Sequence, residues 1–266
     1  MTGVETIRVG VAGAGGRMGS TVCRAVDADP ALELVAAVDP HHAGLDMRQV
    51  TGTDHHWNVS ATAQAFVDAE VQVVVDFTHL DAARENLLFL AAHGIHAVTG
   101  TTGFSDADYA AFTEAFRSSN CVIAPNFAIG AVLMMRFAEL ASPYFETAEI
   151  IELHHDAKLD APSGTAMLTA ERMAAASAQW APDPTRTELL DGARGGEGPA
   201  GIRVHALRLR GMVAHQEVIL GTTGQTLTIR HDSYDRDSFM PGVVLAVRAV
   251  ADRPGITIGL DALLDL

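Results

Sequence analysis

Residues 154–165 hold several side chains that can move protons or bind anions. The stretch combines two histidines, a lysine and a helix-start signal: His154, His155, Lys158, Ser163, Gly164 and Thr165. An imidazole titrates near neutral pH, and a lysine ammonium is both an acid and a positive charge. Backbone N–H groups at the start of a helix lack partners within the helix and attract anions. The spacing therefore predicts a site that binds a carboxylate and supplies one or two proton donors.

A strand before the cluster and a helix after it would position these side chains. Residues 150–153 have the pattern of an apolar strand end, and residues 165–178 carry apolar side chains at helical spacing. Ser163 is the predicted N-cap of this helix. On an extended chain, His154 and His155 point to opposite sides. The alternative without a function is a helix cap that happens to lie next to surface-exposed His and Lys side chains. A Ser-Gly-Thr cap starts many helices, but its combination with two histidines and a lysine is far more specific than the cap alone.

The N-terminal segment has the pattern strand, glycine turn, helix, strand, acid. After the apolar strand 7–12 comes the turn Gly13, Ala14, Gly15, Gly16, Arg17 and Met18. The best-matching glycine spacing is G-x-x-G-x-x-G, with its third glycine at Gly19. A second strand, 32–38, ends in Asp39, where the dinucleotide fingerprint places its ribose-binding carboxylate. The pattern predicts a nicotinamide dinucleotide site. Because no arginine follows Asp39, we expect a weak preference for NADH over NADPH.

Three further predicted strands, 72–77, 95–99 and 121–124, end in polar or glycine turns. The turn residues are Phe77, Thr78, Gly100, Thr101, Thr102, Ala124, Pro125, Asn126 and Phe127. In a doubly wound parallel sheet, such turns line one crevice at the carboxyl ends of the strands. Their agreement with the N-terminal fingerprint predicts an α/β, Rossmann-like sheet whose turns contact the cofactor.

The pattern changes after residue 146 to short strands with one clear helix. We expect strands at 148–153, 202–209, 217–220 and 226–231, which indicates a mixed α+β second domain. A last helix near 241–251 and a strand at 256–258 are expected to return to the first domain. The predicted domains are 1–126 plus 240–266 for the dinucleotide and 127–239 for substrate and oligomerisation. Residues 44–60 are expected to be irregular.

The charge balance excludes some classes of partner. The chain has 33 acidic and 18 basic residues, a net charge of −15, which argues against nucleic-acid binding. An anionic substrate then needs a locally positive pocket. We expect a cytoplasmic protein with no membrane contact, because no signal peptide or membrane span is recognisable and Cys23 and Cys121 lie in apolar segments.

The chain is similar to one known family. Residues 154–166 resemble the signature of dihydrodipicolinate reductases, and residues 11–19, 100–104 and 124–127 resemble that family's cofactor turns. The resemblance covers essentially the whole chain. It implies hydride transfer from NADH or NADPH to dihydrodipicolinate, a cyclic imine with two carboxylates, to give tetrahydrodipicolinate in lysine and diaminopimelate biosynthesis.

The resemblance also implies roles for individual residues. His154 would be the acid/base residue and Lys158 the proton donor. A substrate carboxylate would be held by His155 and Lys158 together with Ser163, Gly164 and Thr165. Gly13 to Met18 would take the pyrophosphate and Asp39 the adenosine ribose. Family members form homotetramers through the second domain, and the spacing of the histidines implies no metal.

Three other interpretations fit parts of the sequence. Another two-domain dehydrogenase, of homoserine or aspartate type, would lack the His-His-Lys and Ser-Gly-Thr combination. A non-catalytic dinucleotide sensor would keep the glycine turn without needing His154 or Lys158. A metal site would use the histidine pairs 41–42 and 55–56, but no cysteine or carboxylate stands at ligand spacing.

Overall fold

The computed structural model describes residues 6–264, so the outermost residues of the predicted first domain, 1–5 and 265–266, lie outside it. The described residues form two compact units. The first contains the residues up to Phe127 and those from Phe239 onward, and the second is Ala128–Ser238. Within residues 6–264, no helix combines the length and apolar character needed to cross a bilayer.

Strands and helices alternate along the first part of the chain. In order they are β1 (Ile7–Ala12), α1 (Arg17–Asp27), β2 (Leu32–Val38), α2 (Met47–Thr51), α3 (Gln64–Asp68), β3 (Val73–Asp76), α4 (Leu80–Ala92), β4 (His96–Thr99), α5 (Asp106–Ala115) and β5 (Cys121–Ile123). The second unit contains α6 (Ile129–Ala141), β6 (Thr147–His154), α7 (Gly164–Ala176), β7 (Gly196–Glu197), β8 (Arg203–Arg208), β9 (Ala214–Thr222) and β10 (Gln225–Ser233). The chain then returns to the first unit with α8 (Met240–Ala249) and β11 (Ile256–Ile258).

The first unit contains a six-stranded parallel sheet with the order β11-β5-β4-β3-β1-β2. This confirms the predicted Rossmann-like fold class. The register aligns the strand ends, because Ala12 pairs with both Val38 and Asp76, and Thr99 pairs with both Asp76 and Ile123. The turns that follow these strands therefore begin at one edge of the sheet, which we call the carboxyl edge.

Large apolar side chains form the core of the first unit. Phe66, Phe112, Leu87 and Leu90 are buried in one cluster beside the sheet. Each fully buried side chain of this kind contributes roughly 1.5–3 kcal/mol to stability. Cys23 is also buried and free, and burial raises the pKa of its thiol to about 12, so it is an inert core thiol.

The second unit contains a five-stranded mixed sheet with the order β10-β9-β6-β8-β7. The central strand β6 pairs in parallel with β8 and antiparallel with β9. Helices α6 and α7 cover one face, where Ile150 of β6 is buried against Ala166, Ala170 and Met173 of α7. This arrangement confirms a second α+β part and fixes which side chains of β6 point toward α7.

Residues 44–60 are more ordered than we expected. They contain the short helix α2, whose N-cap Asp46 accepts a hydrogen bond from the Arg48 backbone and whose C-cap Gly52 is left-handed at φ 79°. Both are ordinary helix-boundary signals. The expectation of an irregular segment was wrong here, because one apolar anchor, the fully buried Met47, is enough to pack so short a helix.

Candidate functional site

A buried acid, Glu152, lies among the candidate site residues of the second unit. In β6, alternation places Ile150, Glu152 and His154 on the α7 side of the sheet. Glu152 is 0% exposed. A buried carboxylate must be compensated by donors or opposite charge. Glu152 therefore needs partners that neutralise it from within the unit.

The partners of Glu152 are all N–H groups. Arg208 binds it with two parallel hydrogen bonds, 2.9 Å to Oε2 and 2.8 Å to Oε1. The backbone N–H of Ser163 donates to Oε1 at 3.1 Å, and His154 Nδ1 lies 2.5 Å from Oε2. Burial raises the pKa of Glu152, but Arg208 and His154 outweigh it and hold that pKa below its ordinary value. Glu152 is thus an ionised acceptor.

The contact with Glu152 determines the protonation pattern of His154. An ionised carboxylate can only accept, so Nδ1 of His154 is the donor. Burial lowers the pKa of His154, and although Glu152 opposes this, Lys158 and Arg208 add to it. The net pKa lies below the ordinary 6.5. At neutral pH the ring is therefore uncharged, with its proton on Nδ1 and a lone pair on Nε2.

Lys158 lies on the segment between β6 and α7 as an ammonium paired with Asp160. Its Nζ is 2.8 Å from both carboxylate oxygens of Asp160. The Asp160 side chain is 65% exposed, whereas that of Lys158 is only 21% exposed. An exposed carboxylate is a weak and exchangeable partner. The pair therefore keeps the ammonium oriented while leaving it available to another carboxylate. His155, one residue after His154, is exposed.

Ser163 caps α7, and the residues after it begin the helix. Its Oγ accepts a hydrogen bond from the Ala166 backbone at 3.2 Å, and its side chain is largely buried. Gly164 is exposed, and a Cβ at this position would meet nothing within 4 Å. No acidic residue occupies the first turn of α7. The accessible part of the predicted cradle is thus Gly164 and Thr165, with Ser163 as the cap that holds them in place.

Glu152, Asp160 and Arg208 were not among the predicted site residues. A signal for Glu152 was present: an acid two residues before His154 on a strand shares its face and sits among apolar residues. Arg208 is 56 positions away from Glu152 and could not be found without the pairing of β6 with β8, which sets His154 beside Arg208. We call Glu152, His154 and Arg208 the buried triad.

The glycine turn of the first unit leaves a close-packed helix start. Gly13 has φ +76°, and a Cβ at Gly19 would lie 2.0 Å from the Gly13 carbonyl oxygen. Both positions therefore require glycine. Helix α1 begins at Arg17 without a side-chain cap and without an acid in its first turn. Such an uncapped, positively polarised helix start suits a phosphate group.

Asp39 lies directly beside this turn. Its carboxylate accepts hydrogen bonds of 2.9 Å from the backbone N–H groups of Gly15 and His41, and His42 Nδ1 is 3.1 Å away. Burial raises the pKa of Asp39, but His42 and the two backbone donors outweigh it and the net pKa is lowered. The structure therefore brings an ionised acid to the glycine turn, as the spacing predicted.

The three turns at the carboxyl edge are tied to one another. Asp76, fully buried at the end of β3, accepts hydrogen bonds from the Thr78 backbone at 2.8 Å and the Thr78 hydroxyl at 2.7 Å. Thr101 donates to the Thr78 carbonyl at 2.8 Å, and the Phe77 and Phe127 rings meet edge-on at 5.7 Å. Asp76 was not among the predicted site residues either, although it ends the strand whose turn it holds.

The remaining predicted cofactor residues lie around these contacts. Ala14, Ala124 and Phe127 are buried, Asn126 and Met18 are half-buried, and Gly16, Arg17, Thr102 and Pro125 are exposed. Gly100 packs so closely on Phe77 that a Cβ there would lie 2.2 Å from the ring. Within residues 6–264, no group of three or more His, Cys, Asp or Glu side chains is placed to hold a metal ion.

Family models match almost the entire chain. The model described as "Dihydrodipicolinate reductase, N-terminus" matches residues 7–127, and "Dihydrodipicolinate reductase, C-terminus" matches residues 130–264. Both matches agree with the resemblance noted from the signature residues.

Full-length relatives carry a consistent name. The chain is 52% identical to the 4-hydroxy-tetrahydrodipicolinate reductase of Nocardia farcinica, over 98% of this chain and 100% of the relative. It is 50% identical to that of Corynebacterium urealyticum, over 98% and 99%. Among solved structures, a dipicolinate-bound dihydrodipicolinate reductase from Paenisporosarcina sp. TG-14 superimposes with a TM-score of 0.85 at 38% identity, covering 97% of this chain and 99% of that one.

Proposed function

The chain belongs to the dihydrodipicolinate reductase family, and from this premise we propose that it reduces 4-hydroxy-tetrahydrodipicolinate to tetrahydrodipicolinate with NADH or NADPH, in the diaminopimelate route to lysine. The lysine content of the chain is the observation that supports this chemistry. Lys158 is the only lysine among the 18 basic residues of the chain, and the other 17 are arginines. An arginine would supply the charge but cannot give up a proton. A lone lysine beside His154 therefore indicates proton transfer.

The carboxyl edge of the first unit fits a nicotinamide dinucleotide. The uncapped start of α1 and the glycines that let the backbone approach closely suit a pyrophosphate, and Asp39 is an ionised acceptor for a ribose diol. When bound, the cofactor supplies the hydride. We propose that the turns ending at Thr78, Thr102 and Phe127 line the nicotinamide side.

Asp39 also underlies a proposed preference for NADH. Its carboxylate already accepts from Gly15 and His41, and a carboxylate has spare lone pairs for ribose hydroxyls. The additional phosphate of NADPH would meet the same negative charge. His42 beside Asp39 partly offsets that repulsion, so we propose a preference rather than an exclusion.

We propose that the second unit binds a carboxylate of the substrate and supplies the proton. The relative from Paenisporosarcina binds dipicolinate, a planar dicarboxylate. In this chain, the Lys158 ammonium, His155 and the backbone at Gly164 and Thr165 would hold one carboxylate. A chain of net charge −15 repels anions overall, but these groups would create a positive charge at the site itself, which would attract a carboxylate.

The proton balance follows from the protonation states of the two residues. Hydride addition leaves a negative charge on the ring, which a nearby acid must quench. His154 is neutral with a bare Nε2 and has no proton to give from that nitrogen, whereas Lys158 is an ammonium. We therefore propose that Lys158 donates this proton and is reprotonated from solvent. The 4-hydroxyl of the substrate must also leave as water, and we propose that Nε2 of neutral His154 takes the proton that the neighbouring ring carbon loses and passes it to the departing hydroxyl. Two groups with different environments thus divide the acid and base roles.

We also propose that the enzyme is a homotetramer assembled through the sheet of the second unit. Strand β10 is an edge strand, and its residues from Gln225 to Thr228 are exposed. Exposed edge strands of this length readily pair with another chain. Light scattering coupled to size-exclusion chromatography tests this, and a monomer at micromolar concentration would contradict it.

The test of the activity uses the enzyme with freshly condensed pyruvate and aspartate semialdehyde. We expect loss of the reduced-nicotinamide absorbance with both cofactors, with a higher kcat/KM for NADH. The control omits the aspartate semialdehyde. Tight cofactor binding without turnover would contradict the proposed reductase activity and favour a dinucleotide sensor.

A further inference from the structure

We propose that Glu152, held by Arg208, is a positioning residue that fixes His154 in the Nδ1–H tautomer and anchors both ends of the segment that carries Lys158. The proposal rests on the proposed reductase activity for its catalytic consequence. Its structural part, the tautomer, stands independently of any substrate.

The donors around Glu152 leave one arrangement of protons. Arg208 and the Ser163 N–H are donors only, and together they donate to both oxygens of the carboxylate. A proton on Oε1 would face two of these donors, and a proton on either oxygen would leave the Arg208 guanidinium without its counter-charge. The carboxylate must therefore be ionised, and His154 Nδ1 at 2.5 Å must carry the hydrogen. The opposite tautomer would set a nitrogen lone pair against a buried negative charge.

The same pair also holds the chain on either side of Lys158. Glu152 binds the His154 ring at one end of residues 154–163 and the Ser163 backbone at the other. Arg208 donates to the Asp160 carbonyl at 2.7 Å. Because the helix start follows Ser163 directly, displacement of Glu152 would move both the proton carriers and the proposed carboxylate cradle.

The charges around His154 set its pKa and so predict how that pKa changes when Glu152 is replaced. Glu152 favours its protonated form, and Lys158 and Arg208 disfavour it. Asp160 faces Lys158 and reduces that lysine's effect. Removing the Glu152 charge should therefore lower the His154 pKa further and shift the acidic limb of the pH–rate profile to lower pH.

Glutamine is an informative replacement because it keeps the size of the side chain. Its amide presents one acceptor and one donor group. All partners of Glu152 are donors, so in either orientation the amide N–H₂ of E152Q meets at least one of them. The variant should lose control of the tautomer without opening a cavity.

Glu149 provides a matched control on the same strand. It binds an arginine, Arg194, and a histidine, His205, whose Nε2 lies 2.7 Å from the carboxylate. It is an odd number of positions from Glu152 and so projects from the other face of β6. Glu149 is not part of the proposed site. We call Glu149, His205 and Arg194 the open triad, since the Glu149 side chain is 36% exposed.

The first experiment measures tautomers directly by NMR of ¹⁵N-histidine-labelled protein, with assignments from His154→Gln and His205→Gln. We expect His154 to be protonated on Nδ1 and His205 on Nε2 in the wild type. In Glu152→Gln, His154 should show both tautomers while His205 is unchanged. A wild-type His154 protonated on Nε2 would overturn the proposal, and this measurement needs no active enzyme.

The second experiment measures turnover of Glu152→Gln and Glu149→Gln. We expect kcat to fall on the order of 10²-fold in Glu152→Gln, as for the loss of a general base. The acidic limb should shift to lower pH while NADH affinity is unchanged. Glu149→Gln should stay within about twofold of the wild type. Circular dichroism confirms folding of both variants.

Several outcomes separate this proposal from the activity on which it rests. Equal losses of kcat in the two variants, or an unchanged Glu152→Gln, would overturn the positioning role. If Glu152→Gln does not fold, Arg208→Lys serves instead, since it keeps the charge and loses the fork. A wild type that lacks turnover but has the expected tautomers would contradict the reductase activity and leave the structural part intact.

Discussion

Strand β6 carries two glutamates that each hold one histidine and one arginine, on opposite faces of the same sheet. In the buried triad the glutamate is 0% exposed, and all its partners are N–H donors. In the open triad the glutamate side chain is 36% exposed and the arginine is 29% exposed. In both, burial raises the glutamate pKa and the partners outweigh it. The two groups thus differ mainly in their access to water.

Access to water decides what each group can do. When one partner of an exposed ion pair is lost, solvent replaces it at little cost. When a partner of a buried carboxylate is lost, the remaining charge stays uncompensated. The same three residue types can therefore be a replaceable surface contact in one place and a fixed proton arrangement in another.

The largest expected effect is on stability, from replacing each arginine by methionine. Arg208→Met leaves Glu152 buried without its main counter-charge and should lower the free energy of unfolding by about 3–5 kcal/mol. Arg194→Met should lower it by about 0–1 kcal/mol. Urea denaturation followed by circular dichroism measures both. Similar losses in the two variants would mean that burial does not distinguish the triads.

A smaller effect is expected on turnover from Lys158→Arg. This variant keeps a positive charge near the buried triad but removes the transferable proton. We expect kcat to fall about 100-fold, or roughly 2.7 kcal/mol in the barrier, with a much smaller change in the KM for substrate. Steady-state kinetics at neutral pH measures the two constants. If KM rises and kcat is preserved, Lys158 binds a carboxylate without donating the proton.

The smallest expected effect is the position of the acidic limb in the pH profile of wild-type turnover. In its proposed role as a base, His154 must be neutral, and burial holds its pKa below 6.5 despite Glu152. Activity should therefore persist as the pH falls through 6.5 and decline only below it, once the lowered pKa is reached. A profile of kcat/KM against pH measures the limb. A midpoint above 6.5 would mean that Glu152 outweighs burial at His154.

The sequence alone predicted the fold class of the first unit because its signals are local. The run Val73-Val74-Val75 indicates a strand buried on both faces, and the glycines at 13 and 19 indicate a turn where a backbone passes closely. The signature at residues 154–166 indicated the family, which is confirmed. The positions of His154, Lys158 and Ser163 around one strand end and one helix start also followed from local patterns.

The buried triad could not be predicted, because its parts are joined by long-range pairing. Arg208 lies in an alternating strand that resembles a half-exposed edge, and its distance from Glu152 is set by the register of β6 with β8. Asp76 was missed for a similar reason, since its burial depends on the neighbouring strands β1 and β4. Helix α2 was not predicted, because the polar composition of residues 44–60 suggested a loop despite the cap residues Asp46 and Gly52.

The single lysine has a practical consequence for observing the enzyme. Selective isotope labelling of lysine gives one side-chain ammonium signal in the whole chain, with no assignment needed. That signal would report the pairing of Lys158 with Asp160 before substrate arrives and any exchange of partner afterwards. Because it is the single lysine, Lys158, the proposed proton donor, is thus its own spectroscopic probe.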